Sequence, residues 1–273
     1  MKVSTQVDLF TNVEPTSVSP AIAKPFVSRS TFYQGDCLVE MDKIADKSVD
    51  MILCDLPYGT TACKWDSVIP FEPLWKQYER IIKDNGAILL FSTQPFTTEL
   101  INSNRKLFKY DFIWHKDKPA DFGNGNVKPL RYHETICMFY KKTPIYNKQF
   151  TERKGSGYSR AKYPVKYTNN SEHKFGTKDG VFDYANKDKM IGTVIEITTG
   201  ERGAIKHPTV KPVPLCEHFI NTFTNEGETV LDNCMGSGTT GVACKKTGRN
   251  FIGIEKDEKY YELAVRRVSE YCG

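Results

Sequence analysis

Short apolar runs recur along the chain and alternate with stretches whose apolar positions fall at helical spacing. Met51-Ile52-Leu53-Cys54, Ala87 to Phe91, Thr229-Val230-Leu231 and Asn250 to Ile254 read as buried strands. Phe32 to Asp36 reads as a strand ending in a turn, and Tyr110 to His115 and Arg131 to Tyr140 as further strands. The intervening pattern predicts helices from Leu38 to about Ala45, Glu72 to Lys83, Phe96 to about Asn104, Val213 to Thr224, Thr239 to Lys246 and Glu258 to Tyr271. Asn85-Gly86 is expected to close the second of these and Gly248 the fifth. Strand and helix in alternation predict an α/β fold with a parallel, doubly wound sheet. Residues 1–30 carry no sustained periodicity and read as a flexible tail, with order starting near Thr31.

Length and composition suit that reading. At 273 residues the chain can hold one sizeable α/β core with a smaller inserted region. No apolar run is long enough to span a membrane, and the N-terminus shows no signal-peptide core, so a cytoplasmic protein is expected. The eight cysteines are scattered without a Cys-x-x-Cys pair, which argues against zinc, and no metal is expected.

Charge changes the picture in one place. Residues 141–206 hold 14 Lys/Arg against 7 Asp/Glu, while the remainder holds 24 against 26. That segment also interleaves Tyr146, Tyr158, Tyr163, Tyr167, Phe175 and Tyr184 with its lysines and shows little periodicity. It reads as an insert of short elements outside the sheet, suited to phosphates and unstacked bases, although a solvated lysine-rich face fits the charge as well. The stretch from Lys116 to Lys128, with its glycines and asparagines, reads as a surface loop.

Two stretches carry the candidate chemistry. Asp55-Leu56-Pro57-Tyr58 follows one buried strand, and Asp232-Asn233-Cys234-Met235-Gly236-Ser237-Gly238-Thr239-Thr240 follows another. In open α/β sheets ligands bind beyond the carboxyl ends of such strands. The glycine loop lets backbone approach a ligand, and the helix after it favours an anion; no Lys stands where a phosphate-binding P-loop needs one. Glu255 ends the next strand and suits the two hydroxyls of a ribose. Asp36 could accept from an amino group, although an Asp so placed is more often a helix N-cap. A carboxylate such as Asp55, with a neighbouring carbonyl, can accept hydrogen bonds from an aromatic amine and direct its lone pair outward, and Tyr58 can stack on a base.

These blocks resemble the amino-methylating DNA methyltransferases, in which S-adenosylmethionine methylates adenine or cytosine. The family tetrad Asp/Asn/Ser-Pro-Pro-Tyr/Phe is matched by Asp55 to Tyr58, and the loop Asp-Pro-Phe-x-Gly-Ser-Gly-Thr-Thr by Asp232 to Thr240. The His-Pro-Thr-x-Lys-Pro block is matched by His207 to Pro212. Their order is that of the permuted β group. The resemblance implies a Rossmann-like methyltransferase sheet whose catalytic half covers 31–140 and whose cofactor half covers 207–273, with a target-recognition insert at 141–206. It implies that Asp55 and the Leu56 carbonyl hold the target amine and Tyr58 stacks on a flipped base, with Pro57 completing the catalytic tetrad. Lys211, Gly236, Gly238 and Thr239 would hold the methionine end of S-adenosylmethionine, Glu255 its ribose and Asp36 its adenine, with Asp232, Ser237 and Thr240 also counted as cofactor-binding.

Two departures stand out, Leu56 for the first Pro and Asn233-Cys234 for Pro-Phe. An Asp at the head of the tetrad points to adenine-N6 in double-stranded DNA; cytosine-N4, RNA and a non-catalytic DNA-binding relic stay open. A nicotinamide dehydrogenase would explain the glycine loop but neither the tetrad nor the basic insert. In the tail, Gln6-Val7-Asp8-Leu9-Phe10 resembles the peptide by which bacterial DNA enzymes bind the replication sliding clamp. Oligomeric state is not fixed, and a homodimer is compatible with the resemblance.

Overall fold

The computed structural model describes residues 28–59, 67–119, 121–152, 188–199 and 210–271. Gln6 to Phe10, His207 to Thr209 and the middle of the basic insert lie outside them. Ten strands are present among these residues: β1 (Ser30–Gln34), β2 (Val49–Asp55), β3 (Ile82–Ser92), β4 (Phe108–His115), β5 (His133–Phe139), β6 (Phe150–Glu152), β7 (Asp188–Met190), β8 (Val194–Glu196), β9 (Thr229–Asp232) and β10 (Asn250–Glu255). The helices are α1 (Cys37–Glu40), α2 (Phe71–Ile81), α3 (Phe96–Ser103), α4 (Val213–Phe223), α5 (Thr239–Thr247) and α6 (Glu258–Glu270). Eight strands form one sheet in the order β1-β10-β9-β2-β3-β5-β4-β8, and β6 and β7 form a separate antiparallel pair.

The continuous apolar runs explain why the sheet is covered on both faces. In β2, Ile52 and Cys54 face one core, with Leu74, Tyr78 and Leu100 of α2 and α3. Met51 and Leu53 face the other, with Phe219 of α4, Cys244 of α5 and Ala264 of α6. Two half-sheets meet where β9 pairs with β2, strands that lie far apart in sequence (Ile52 opposite Leu231). The chain leaves β2 toward β3 and leaves β9 toward β10, in opposite directions along the sheet. That divergence opens a crevice at the carboxyl ends of both strands.

Three expectations are corrected. β5 runs antiparallel to both β3 and β4, so the sheet is not uniformly parallel. Gly86 does not close a helix: α2 ends at Ile81, β3 begins at once, and the β2–β3 register shifts between Val49 and Met51. A Cβ at Gly86 would stand 2.6 Å from Ile82 Cγ1 and 2.9 Å from the Asp50 carbonyl, so the close approach requires glycine. Part of the basic segment also belongs to the sheet, since β8 pairs parallel with β4. It is fastened there by Trp114 Nε1 donating to the Ile197 carbonyl at 2.7 Å, and by Thr199 donating through backbone and hydroxyl to Asp117 at 2.7 and 2.9 Å.

Candidate active site

The crevice between β2 and β9 opens into a cavity of about 1080 Å³. Asp55, Leu56, Pro57 and Tyr58 line one side of it. Asp36, Gly236, Ser237 and Glu255 line the other, with Lys211, Asp232, Thr239 and Thr240 between them. Among the described candidate catalytic and cofactor residues, Gly238 alone is not part of the lining. Its φ is +79°, and a Cβ there would lie 3.0 Å from Ala264 Cα. Glycine at 238 is required by the approach of α6 behind the loop, rather than by a ligand in front of it.

The glycine loop is tied down on both flanks. Glu255 accepts from Gly236 N at 2.8 Å on one oxygen and from Asp257 N at 2.9 Å on the other, and burial raises its pKa. The Ser237 carbonyl accepts from the Arg267 guanidinium of α6, a contact that no motif in the chain announces. Asp232 is buried, accepts from the Thr240 hydroxyl at 2.7 Å and from Cys234 N at 3.2 Å, and burial pushes its pKa up to about 6. Asp36 is the N-cap of α1, accepting from Leu38 N at 3.1 Å, while its other oxygen pairs with Lys256 at 3.1 Å. The capping role therefore coexists with a position on the cavity wall.

The departures from the family pattern have local explanations. Asn233 is 1% exposed and accepts at 2.6 Å from the hydroxyl of Tyr78, which is fully buried on α2. The amide thus satisfies a phenol that would otherwise be stranded in the core. Leu56 is buried among the side chains on the α2 face, so it holds the turn by packing where a second proline would have held it by backbone restriction.

On the catalytic side, both oxygens of Asp55 are engaged. Tyr58 donates to Oδ1 at 2.5 Å and the Lys211 ammonium to Oδ2 at 2.5 Å. Burial raises the pKa of Tyr58 far above the ordinary tyrosine value and the Asp55 charge adds to this, so the phenol stays a donor. Lys211 also lies 3.3 Å from Glu134 Oε2, and Lys116 donates to Glu134 Oε1 at 2.8 Å. Burial works against the Lys211 ammonium, but Asp55 and Glu134 together outweigh it and hold its pKa above the lysine norm. Glu134 mirrors this: burial pushes it up, and the two lysines outweigh that and hold it below the carboxylate norm. Lys211 thus pairs with the Asp55 carboxylate in the cavity that the glycine loop also lines. Lys116 belongs to a buried ion chain rather than to a surface loop.

Residues 49–266 match the DNA methylase family of N6/N4 methyltransferases. The chain belongs to this family. It is 29% identical over 256 residues to the Type II methyltransferase M1.MboII of Moraxella bovis, covering 85% of this chain and 94% of that one. Among solved structures, the M1.HpyAVI–SAM complex superposes with a TM-score of 0.57 at 21% identity, covering 87% of this chain and 98% of that one. The PvuII DNA methyltransferase, cytosine-N4-specific, gives 0.61 at 16% identity, with 88% and 86% covered. Family membership makes the protein an S-adenosylmethionine-dependent DNA methyltransferase with the Rossmann-like sheet of that class.

The residues present fit the cofactor. The start of α5, which has no side-chain cap, an acid at the end of β10 and a second acid just after β1 border one continuous cavity with Asp55. Among the described residues no helix is long and apolar enough to cross a membrane.

Proposed function

We propose that the protein methylates the 6-amino group of adenine in double-stranded DNA. The observation that carries the reading is an aspartate at the head of the tetrad, held at the end of β2 in the same cavity as the glycine loop. Bound S-adenosylmethionine supplies a sulfonium methyl group as electrophile. Asp55 and the Leu56 carbonyl accept the two N–H groups of the target amine, which directs the nitrogen lone pair toward the methyl. Tyr58 stacks on the base withdrawn from the duplex, whose unpairing is offset by that stacking. Gly236, Ser237, Thr239 and Thr240 with Asp232 hold the amino-acid end of the cofactor, Glu255 its ribose hydroxyls and Asp36 its adenine. Gly238 supports this set from behind by admitting α6, and Lys211 supports Asp55. Orientation of two reactants in one cavity is the main catalytic contribution.

The basic segment 141–206 is the target-recognition region on this reading. Of its described residues, β8 pairs with β4 and Thr198 and Thr199 form part of the cavity wall, which supports that reading. The tail peptide Gln6 to Phe10 would dock on a sliding clamp, and a chain lacking residues 1–12 should then lose clamp co-migration while methylating short duplexes normally.

Mass spectrometry of nucleosides from unmethylated DNA, incubated with the protein and S-adenosylmethionine, tests the base assignment. A 6-methyladenine peak supports it. A 4-methylcytosine peak retains the mechanism and replaces the base.

A further inference from the structure

We propose that Glu134 is a positioning residue of the transfer site: it shares the Lys211 ammonium with Asp55 and so keeps the Asp55 carboxylate placed and free to accept from a target amine. The inference rests on the reading of Asp55 as the amine acceptor and is independent of which base is methylated.

The quartet Lys116–Glu134–Lys211–Asp55 alternates in charge. Lys116 and Lys211 have side chains only 5% and 11% exposed, and Glu134 18%. The Lys211 ammonium is boxed on three sides: Asp55 at 2.5 Å, Glu134 at 3.3 Å and the ring of Phe91 at 5.0 Å from its centroid. Lys116 anchors the far end, over the ring of Trp114 at 5.5 Å. Glu134 stands opposite Trp114 in the β4–β5 register, so its place is set by the sheet ladder and not by a loop.

With all four groups ionised the set is neutral, which a buried site tolerates far better than a net charge. Glu134 Oε2 has no directed hydrogen-bond partner among the described residues, so its hold on Lys211 is by charge rather than by a directed bond. Without that charge, two ammonium groups would share one carboxylate. Lys211 would then commit wholly to Asp55, drawing on the electron pairs that a target amine needs and pulling the carboxylate out of line.

Glu134→Gln keeps shape and removes charge. In the full-length protein, kcat for methyl transfer to unmethylated DNA should fall roughly tenfold to a hundredfold. Calorimetric affinity for S-adenosylmethionine should stay within about twofold, because the cofactor loop is not part of the chain of charges. Glu134→Asp, which keeps a second negative charge on the Lys211 side, should retain more of kcat than Glu134→Gln. A merely structural role predicts the opposite, the shortened Asp at least as damaging as the isosteric Gln and a fall in cofactor affinity parallel to kcat; either result overturns the proposal. So does a Glu134→Gln enzyme whose kcat stays within about twofold of the parent. Failure of the functional reading is seen separately, in an unsubstituted protein that methylates neither base.

Discussion

The hydroxyl of Tyr58 donates to Oδ1 of Asp55, so the carboxylate proposed to accept from a target amine already receives a bond from a neighbour three residues away. The ring of Tyr58 is held against Phe96, with centroids 5.1 Å apart. Entry of a base must therefore exchange one hydrogen bond for another while the ring turns to stack. The two functions of this side chain can be separated. Tyr58→Phe keeps the stacking ring and frees Asp55, and steady-state transfer should stay within about threefold of the parent. Tyr58→Ala removes the stacking surface, worth ~1–3 kcal/mol per base, and should lower kcat/KM roughly tenfold to a hundredfold. A Phe variant as damaged as the Ala variant would show that the hydroxyl itself takes part in transfer.

Gly238 offers a second test. Its left-handed backbone disfavours any side chain, and an added Cβ would press on Ala264 Cα and Cβ, both at 3.0 Å. Since Cα is backbone, α6 must retreat, and Arg267 of that helix retreats from the Ser237 carbonyl with it. Gly238→Ala should lower the melting temperature and weaken S-adenosylmethionine binding by about tenfold or more in calorimetry. Unchanged affinity alongside a lowered melting temperature would mean that the loop holds its shape without α6.

A third test concerns Asn233. Removing the Tyr78 hydroxyl leaves the buried Asn233 side-chain oxygen without that donor, at a cost of about 1–3 kcal/mol. Urea unfolding of Tyr78→Phe should show that loss in the midpoint with no change in slope. A midpoint equal to the parent's would mean that Asn233 finds another donor.

What the sequence made legible follows from where its signals are local. The cofactor and catalytic blocks each concentrate their residues within nine positions or fewer, and each follows an apolar run, so both strand ends could be named in advance. Strand direction could not: Ile136–Phe139 of β5 is buried like the parallel strands of the sheet, and burial is the same whichever way a strand runs. β8 offered too little to read, three residues with only Ile195 buried. Glu134 and Lys116 were missed because neither sits in a motif; each looks like an ordinary charge beside an apolar run, and only the β4–β5 pairing brings them to Lys211. A charged residue at the end of a buried strand, with apolar residues following it, was the one available cue.

Asp232 gives a pH dependence whose sign can be worked out. Burial raises its pKa from 3.8 to about 6 in the folded protein, against the hydrogen bonds from Thr240 and Cys234 that favour the charged form. Between those values the native state holds a proton that the unfolded state has lost, so this group's contribution to stability falls as pH rises through the window. By pH 7 the cost is about 3 kcal/mol, and it is relieved as the pH drops from about 6 toward 4. Asp232→Asn removes the titration while leaving an amide oxygen able to accept one of the two donors. Melting temperatures of parent and variant, compared at several pH values, isolate the effect because every other titrating group cancels. The parent should gain on the variant by several degrees between about pH 7.5 and pH 4.5. A constant difference would mean that Asp232 is solvated or counter-charged in solution, and a difference that shrinks toward acid would reverse the sign of its contribution.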